Sequence, residues 1–141
     1  PDFGGIKRIK QYKKHIDADM AVINKERLRP NQVTRMEIIG DVKDKNIIII
    51  DDLVDTAGTL CAAADVLIDH GAKSVRAYCT HGVLSGDALA SIQKSSIDKL
   101  YISDTVVEEI EHPKIEIVSC AELLARAMKN LVNNESLSEI G

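Results

Sequence analysis

The chain has 141 residues, which suits one domain able to bury a core of its own. Its hydrophobic share of 45% and charged share of 28% are ordinary for a globular domain, and no apolar run approaches the roughly 18 residues of a membrane helix. The net charge of −4 offers no general attraction to nucleic acid or to an anionic membrane, so a bound anion would have to be held by local geometry.

Branched apolar runs alternate along the chain with segments of helical period. The predicted strands are 19–24, 35–40, 46–50, 74–80, 99–103 and 114–119, and the predicted helices are 5–16, 59–70, 86–94 and 121–133. This alternation predicts an α/β fold with a mostly parallel open sheet flanked by helices. We expect residues 1–133 to form the domain and residues 134–141 to form a polar carboxyl-terminal tail.

The pattern also predicts which faces are buried. The run Ile47 to Ile50 is apolar on both faces, which favours a place in the middle of the sheet with helices on each side. The helix at 59–70 and the closing helix at 121–133 each carry one apolar stripe that should face the sheet. The stripes consist of Leu60, Ala63, Ala64, Leu67 and Ile68 in the first and Leu123, Leu124, Ala127, Met128 and Leu131 in the second.

One strand-to-helix junction carries most of the polar chemistry. Asp51 and Asp52 follow the isoleucine run, and Asp55-Thr56-Ala57-Gly58-Thr59 opens into the next helix. In open α/β sheets ligands bind at the carboxyl ends of the strands, and the unpaired N–H groups at a helix start bind phosphate. Acids beside a phosphate site need another target, which the vicinal hydroxyls of a ribose or a Mg²⁺ ion supply. The junction therefore indicates a ribose 5-phosphate site.

A plainer alternative stands beside this interpretation. Asp55 or Thr56 could cap the helix, and the pair Asp51 and Asp52 could be a solvated turn. The combination of a four-residue aliphatic run, two acids and the sequence Asp-Thr-Ala-Gly-Thr at one junction favours the ligand site.

The junction resembles the phosphoribosyl pyrophosphate-binding motif of the type I phosphoribosyltransferase fold. Three further segments are similar to segments of ribose-phosphate pyrophosphokinases: Pro1 to Gly5, Lys25 to Asn31 and Cys79 to Gly86. These segments occur in the same order as in the carboxyl-terminal half of that family's enzymes, and the resemblance covers nearly the whole chain. It implies that the amino-terminal half, which binds ATP in these enzymes, is absent here. The resemblance implies that this piece alone is inactive.

The resemblance implies transfer of pyrophosphate from Mg-ATP to the C1 hydroxyl of ribose 5-phosphate, giving 5-phosphoribosyl 1-pyrophosphate and AMP for nucleotide biosynthesis. It implies catalysis by Lys25 and Arg27, and a Mg²⁺ ligand in Asp2. The ribose 5-phosphate site would comprise Arg27, Asp51, Asp52, Asp55, Thr56, Ala57, Gly58 and Thr59. It further implies a cytoplasmic homohexamer, with neither nucleic acid nor membrane as a partner. Ser136 and Ser138 sit where some members bind a regulatory phosphate or ADP, but the tail lacks an aromatic residue, so regulation stays open.

Two other classes of protein remain possible. A phosphoribosyltransferase uses the same loop, and a non-catalytic subunit or sensor could retain it. His81 ends a strand at the functional edge and has about an even chance of touching a ligand or a neighbouring subunit. Cys61, Cys79 and Cys120 lack the spacing of a disulfide framework or a zinc site, which indicates free thiols in a reducing cytosol.

Overall fold

A computed structural model describes residues 16–26, 35–107, 109–138 and 140. The predicted helix at 5–16 lies almost wholly outside these residues, as do Asp2 and Arg27. The strands are β1 Val22–Glu26, β2 Arg35–Ile39, β3 Asn46–Val54, β4 Ser74–Gly82, β5 Lys99–Ser103 and β6 Ile115–Val118. The helices are α1 Gly58–Asp69, α2 Ala88–Lys94 and α3 Ala121–Val132.

The centre of the fold is a four-stranded parallel sheet with the order β3-β4-β5-β6, which confirms the predicted α/β class. The strands follow one another across the sheet in chain order. Right-handed crossovers that all step in one direction place their helices on the same face. Accordingly, α1 and α2 contact each other and share one core with the inward side chains of the sheet.

The position of β3 differs from the prediction. In the described part of the chain β3 lies at one end of the sheet and pairs with β4, whereas the isoleucine run predicted a central strand. Because both crossover helices lie on one face, the opposite face stays open at Ile48 and Tyr78, which are 48% and 39% exposed. On that face Tyr78 stacks on Tyr101, with ring centroids 4.5 Å apart.

The strands β1 and β2 form a separate antiparallel pair instead of joining the parallel sheet. Their connection, residues 27–34, is shorter than the dozen or so residues that a parallel crossover needs, which explains the antiparallel pairing. The strand β1 also starts and ends later than predicted, so Lys25 lies inside it and pairs with Met36.

The two predicted apolar stripes have different outcomes. The stripe of α1 is confirmed, since Leu60, Ala63, Ala64 and Leu67 are buried against the sheet. The predicted burial of the α3 stripe is wrong, because every residue of α3 is exposed or half-buried. No described helix has the length and apolar character required to cross a membrane.

Candidate functional site

The candidate site lies at the edge where the parallel strands end. Asp51 and Asp52 belong to β3 itself, since the strand continues to Val54 and does not stop at Ile50 as predicted. The pairing of β3 with β4 sets Asp51 opposite Cys79. The loop between β3 and α1 is consequently shorter than the sequence suggested and begins at Asp55.

The amino terminus of α1 has an unusual conformation. The N-cap residue, Ala57, is buried and has a left-handed backbone conformation, with φ 61° and ψ −1°. Its carbonyl accepts a hydrogen bond from the N–H of Cys61 at 2.9 Å. A left-handed alanine costs about 1–2 kcal/mol, and such strain is typical of binding loops. The capping position itself is taken by Ala57, whose methyl group makes no cap hydrogen bond, and Asp55 and Thr56 lie two residues and one residue before it.

The helix end is also accessible. Gly58 and Thr59 are exposed, and a Cβ added to Gly58 would meet one atom within the contact range, Thr56 Oγ1 at 4.0 Å. Asp52, Asp55 and Thr56 are exposed beside it. The predicted loop residues thus stand together around an open helix terminus, where N–H groups and the positive end of the dipole attract an anion.

Asp51 and Asp52 concentrate negative charge next to this helix end. Partial burial raises the pKa of Asp51. The Asp52 N–H, which donates to Asp51 Oδ1 at 3.0 Å, opposes that shift, and the Asp52 carboxylate adds to it. A bound cation or hydroxyl donors would stabilise the charged form of such a pair, because either relieves the repulsion between the two carboxylates.

The described residues contribute at most part of a metal site. None of the regions that the structure describes contains a cluster of three or more His, Cys, Asp or Glu side chains able to hold a metal. A Mg²⁺ ion needs only one or two carboxylates when substrate phosphates and water complete its shell. The pair Asp51 and Asp52 fits that requirement, while the predicted ligand Asp2 lies outside the described residues.

The turn after β4 is joined to the loop after β3. The Val54 carbonyl accepts the N–H groups of Val83 at 2.9 Å and Leu84 at 3.2 Å, and Ser85 Oγ donates to Asp55 Oδ1. Sequence reasoning did not assign a role to Ser85. The only sequence signal for Ser85 is its place in the segment Cys79 to Gly86, which is similar to ribose-phosphate pyrophosphokinases.

His81 belongs to a neighbouring polar network. Its Nδ1 is 2.8 Å from Thr105 Oγ1, and Ser103 Oγ donates to the Thr80 carbonyl at 2.5 Å. The ring is half-buried and joins the end of β4 to the turn after β5. This contact gives His81 a structural role at the edge and does not direct its Nδ1 to the loop after β3.

The buried cysteines are poor nucleophiles. Burial raises the pKa of Cys61, and burial with the nearby charges of Asp51 and Asp52 raises the pKa of Cys79 to about 12. Cys61, Cys79 and Cys120 are all free thiols. None of them takes part in the loop chemistry described above.

Comparison with known proteins places these features in one family. The model of the phosphoribosyl synthetase-associated domain matches residues 4–140. The chain is 44% identical over 140 residues to a ribose-phosphate pyrophosphokinase of Helicobacter hepaticus, covering 99% of this chain and 45% of the relative. It is 43% identical over 143 residues to ribose-phosphate pyrophosphokinase A of Dictyostelium discoideum, with 99% and 45% covered.

A solved structure agrees with the sequence comparisons. The phosphoribosylpyrophosphate synthetase of Mycobacterium smegmatis superposes with a TM-score of 0.82 at 28% identity, over 93% of this chain and 43% of that chain. The chain thus spans less than half the length of the relatives it matches. With a family model matched over nearly its whole length, the chain belongs to the phosphoribosyl synthetase-associated domain family.

Proposed function

We propose that the chain is the ribose-phosphate-binding, carboxyl-terminal half of a ribose-phosphate pyrophosphokinase. The complete protein would transfer the β,γ-pyrophosphoryl group of Mg-ATP to the C1 hydroxyl of ribose 5-phosphate and release AMP. The observation that carries the proposal is the uncapped, exposed start of α1 directly behind the acidic pair of β3. Relatives of that name, similar along 99% of this chain, support it.

The phosphate of the sugar would bind at the start of α1. The helix dipole contributes only about 0.3–1 kcal/mol, whereas each hydrogen bond to a charged group contributes about 1.5–3 kcal/mol. Donors at Thr56, Gly58 and Thr59 therefore matter more than the dipole. Three or four such bonds are enough for roughly millimolar affinity.

The acids would hold the remainder of the ligand. We assign the ribose hydroxyls to Asp51, and we assign either the hydroxyls or the metal to Asp52, since a carboxylate accepts hydrogen bonds from a vicinal diol. Asp2 would hold Mg²⁺, which when bound neutralises phosphate charge. The raised pKa of Asp51 and its proximity to Asp52 support this assignment, because hydroxyl donors or a cation would relieve the repulsion.

The catalytic cations are assigned to the end of β1 and to the residue that follows it. Attack at the β-phosphorus spreads negative charge over phosphoryl oxygens, and Lys25 and Arg27 would stabilise that charge as it develops. Lys25 lies near the end of β1, which pairs antiparallel with β2. A cytoplasmic homo-oligomer is part of the same proposal.

The reaction is tested on the complete protein. With ATP, Mg²⁺ and ribose 5-phosphate and no nucleobase, we expect AMP and 5-phosphoribosyl 1-pyrophosphate in equal amounts. Consumption of phosphoribosyl pyrophosphate with a nucleobase, without AMP formation from ATP, would identify a phosphoribosyltransferase instead. Binding of ribose 5-phosphate with neither reaction would identify a sensor or an associated subunit, and either result overturns the proposal.

A further inference from the structure

A short chain of hydrogen bonds joins the ring of His81 to the backbone of its own strand. Ser103 Oγ donates to the Thr80 carbonyl at 2.5 Å, and Ser103 Oγ lies 2.8 Å from Thr105 Oγ1. Thr105 Oγ1 lies in turn 2.8 Å from His81 Nδ1. Each of these distances is that of a bonded pair, so each contact needs a proton between its two atoms. The chain ends on a carbonyl, which only accepts, and this fixes the direction in which the protons are shared.

Counting the protons along this chain assigns the tautomer of His81. The hydroxyl proton of Ser103 lies toward the Thr80 carbonyl, so the contact between Ser103 and Thr105 uses the hydroxyl proton of Thr105. Donation from Thr105 to the imidazole instead would leave two hydroxyl oxygens 2.8 Å apart with no proton between them. The remaining contact is therefore bonded only if His81 Nδ1 is the donor. In the neutral ring the hydrogen is then on Nδ1, and Nε2 keeps a lone pair.

The place of His81 in the sheet directs Nε2 to the side of the candidate site. His81 pairs with Leu53 of β3 on one side and with Ser103 of β5 on the other. Because Nδ1 is bound on the β5 side, Nε2, which lies across the ring, is directed away from the turn after β5 and out beyond the strand end. Leu53 comes two residues before Asp55, where the loop to α1 begins. The ring is half-buried, so a ligand at this edge can reach it.

We propose that His81 Nε2 accepts a hydrogen bond from a sugar hydroxyl of ribose 5-phosphate. An imidazole nitrogen without hydrogen is an acceptor, and hydroxyls are the donors that the sugar offers. His81 would add a neutral acceptor to the acidic ones, Asp51 and Asp52, without adding negative charge beside the phosphate. Ser103 and Thr105 are positioning residues, because they hold the tautomer in which Nε2 accepts. The proposal rests on the proposed function, since it takes ribose 5-phosphate as the ligand of this edge.

Nitrogen-15 NMR of the unsubstituted chain tests the tautomer. Long-range couplings from the carbon-bound ring hydrogens distinguish Nδ1 from Nε2, and the loss of one set of signals in His81→Asn identifies the ring. We expect hydrogen on Nδ1, and we expect Thr105→Val, which removes the acceptor and keeps the shape, to shift the ring toward the Nε2–H form. Thr105→Ser, which keeps the hydroxyl, should leave the tautomer unchanged. Hydrogen on Nε2 in the neutral ring of the unsubstituted chain would overturn the proposal.

Calorimetric titration with ribose 5-phosphate and with inorganic phosphate tests the contact itself. In His81→Asn the shorter side-chain amide still donates to Thr105 but lacks the Nε2 position, so ribose 5-phosphate should bind about tenfold more weakly, the size of one lost hydrogen bond. Inorganic phosphate, which has no sugar, should keep its affinity within about twofold. Thr105→Val should weaken ribose 5-phosphate in the original chain and have no further effect in His81→Asn. The matched control is His70→Asn at the opposite end of α1, which should bind both ligands like the original chain.

The outcomes distinguish this proposal from the proposed function. Unchanged binding of ribose 5-phosphate by His81→Asn, or an equal loss for ribose 5-phosphate and inorganic phosphate, overturns the role of His81 and leaves the proposed function standing. Should His81→Asn not fold, the pair Thr105→Val and Thr105→Ser carries the same comparison. If the original chain binds neither ligand, the proposed function falls, and this proposal falls with it.

Discussion

Gly82, the last residue of β4, lies against the side chain of Ile102 in β5. A Cβ built on Gly82 would come within 2.6 Å of Ile102 Cδ1 and 3.2 Å of its Cγ2, and Ile102 is only 1% exposed. Because the isoleucine has no room to withdraw, Gly82→Ala should lower the free energy of unfolding by about 1–3 kcal/mol, measured by urea denaturation.

The matched control shortens the neighbour. Ile102→Val removes the closest atom and should by itself cost about 0.5–1.5 kcal/mol. The double variant with Gly82→Ala should lose less free energy of unfolding than the two single variants lose together, since the shorter side chain leaves space for the new methyl group. Strictly additive losses would show that the contact is not what selects glycine at this position.

Gly58→Ala separates ligand binding from folding. Among the described residues, and apart from its chain neighbours and the backbone of its own helix, the added methyl group meets no atom closer than 4.0 Å. Alanine is also the better helix former by up to about 1 kcal/mol. We therefore expect stability to be unchanged or slightly higher. The methyl group stands on the exposed helix end, so affinity for ribose 5-phosphate should fall by about tenfold or more.

Ala62→Ser, an exposed change on the same helix, serves as the control for that experiment and should bind like the original chain. Isothermal titration measures both variants. An unchanged dissociation constant in Gly58→Ala would place the phosphate somewhere other than the start of α1.

Asp51 should make stability depend on pH. Burial raises its pKa in the folded state, so the folded protein holds this proton more tightly than the unfolded chain does. Stability must then fall as pH rises above 3.8, the ordinary value, through the raised pKa, and the loss persists at neutral pH. Asp51→Asn should consequently raise the free energy of unfolding at pH 7, on the order of 0.5 kcal/mol after solvent screening is allowed for.

Urea denaturation between pH 3 and pH 8 checks this pH dependence, with Asp17→Asn as the control because that side chain is exposed. The increase in the free energy of unfolding caused by Asp51→Asn should become smaller toward the acid end of the range. A gain of equal size at every pH would show that charge at Asp51 is not its cause. The same variant should bind ribose 5-phosphate less tightly.

The thiols should differ in reactivity. With a pKa of about 12, Cys79 is a thiolate in roughly one molecule in 10⁴ at pH 8. Cys120 is half-buried, while Cys61 and Cys79 are buried. A disulfide reagent should therefore modify Cys120 quickly in the native protein and reach Cys61 and Cys79 only when urea unfolds the chain.

The variant Cys120→Ser identifies the reacting group. It should abolish the fast phase of modification and leave the slow phase intact. A fast phase that survives this substitution would mean that one of the buried thiols is open to reagent in the native state.

Lys25→Ala tests the catalytic assignment in the complete protein. If Lys25 stabilises charge that develops only in the transition state, turnover should fall by several orders of magnitude while affinity for ribose 5-phosphate changes little. Steady-state kinetics and a binding titration measure the two quantities. Equal losses in both, or no loss in either, would contradict the assigned role.

Local patterns predicted the elements well because they depend on neighbouring residues. The bounds of β5 coincide with the prediction, and the stripe of α1 that contains Leu60 and Leu67 is buried as its spacing indicated. The same reasoning failed for α3, since an apolar stripe does not specify which surface, if any, lies opposite it. The pairing partners of β1 and the edge position of β3 likewise depend on strands distant in the chain.

The sequence predicted the position of the loop residues beside a helix start but not their conformation. Asp51 and Asp52 were placed correctly beside a helix start, yet their inclusion in β3 follows from hydrogen bonds to β4 that the sequence does not display. The left-handed state of Ala57 is unexpected for an alanine. Nor does any local pattern reveal that Ser85 contacts Asp55, because the two are 30 residues apart.

The strand order of the sheet has a consequence for biosynthesis. Since β3, β4, β5 and β6 are neighbours in the sequence in which the ribosome produces them, each strand finds its partner already made. The turn that carries Ser85 emerges directly after β4, so this turn and the loop after β3 can meet before β5 and β6 are available.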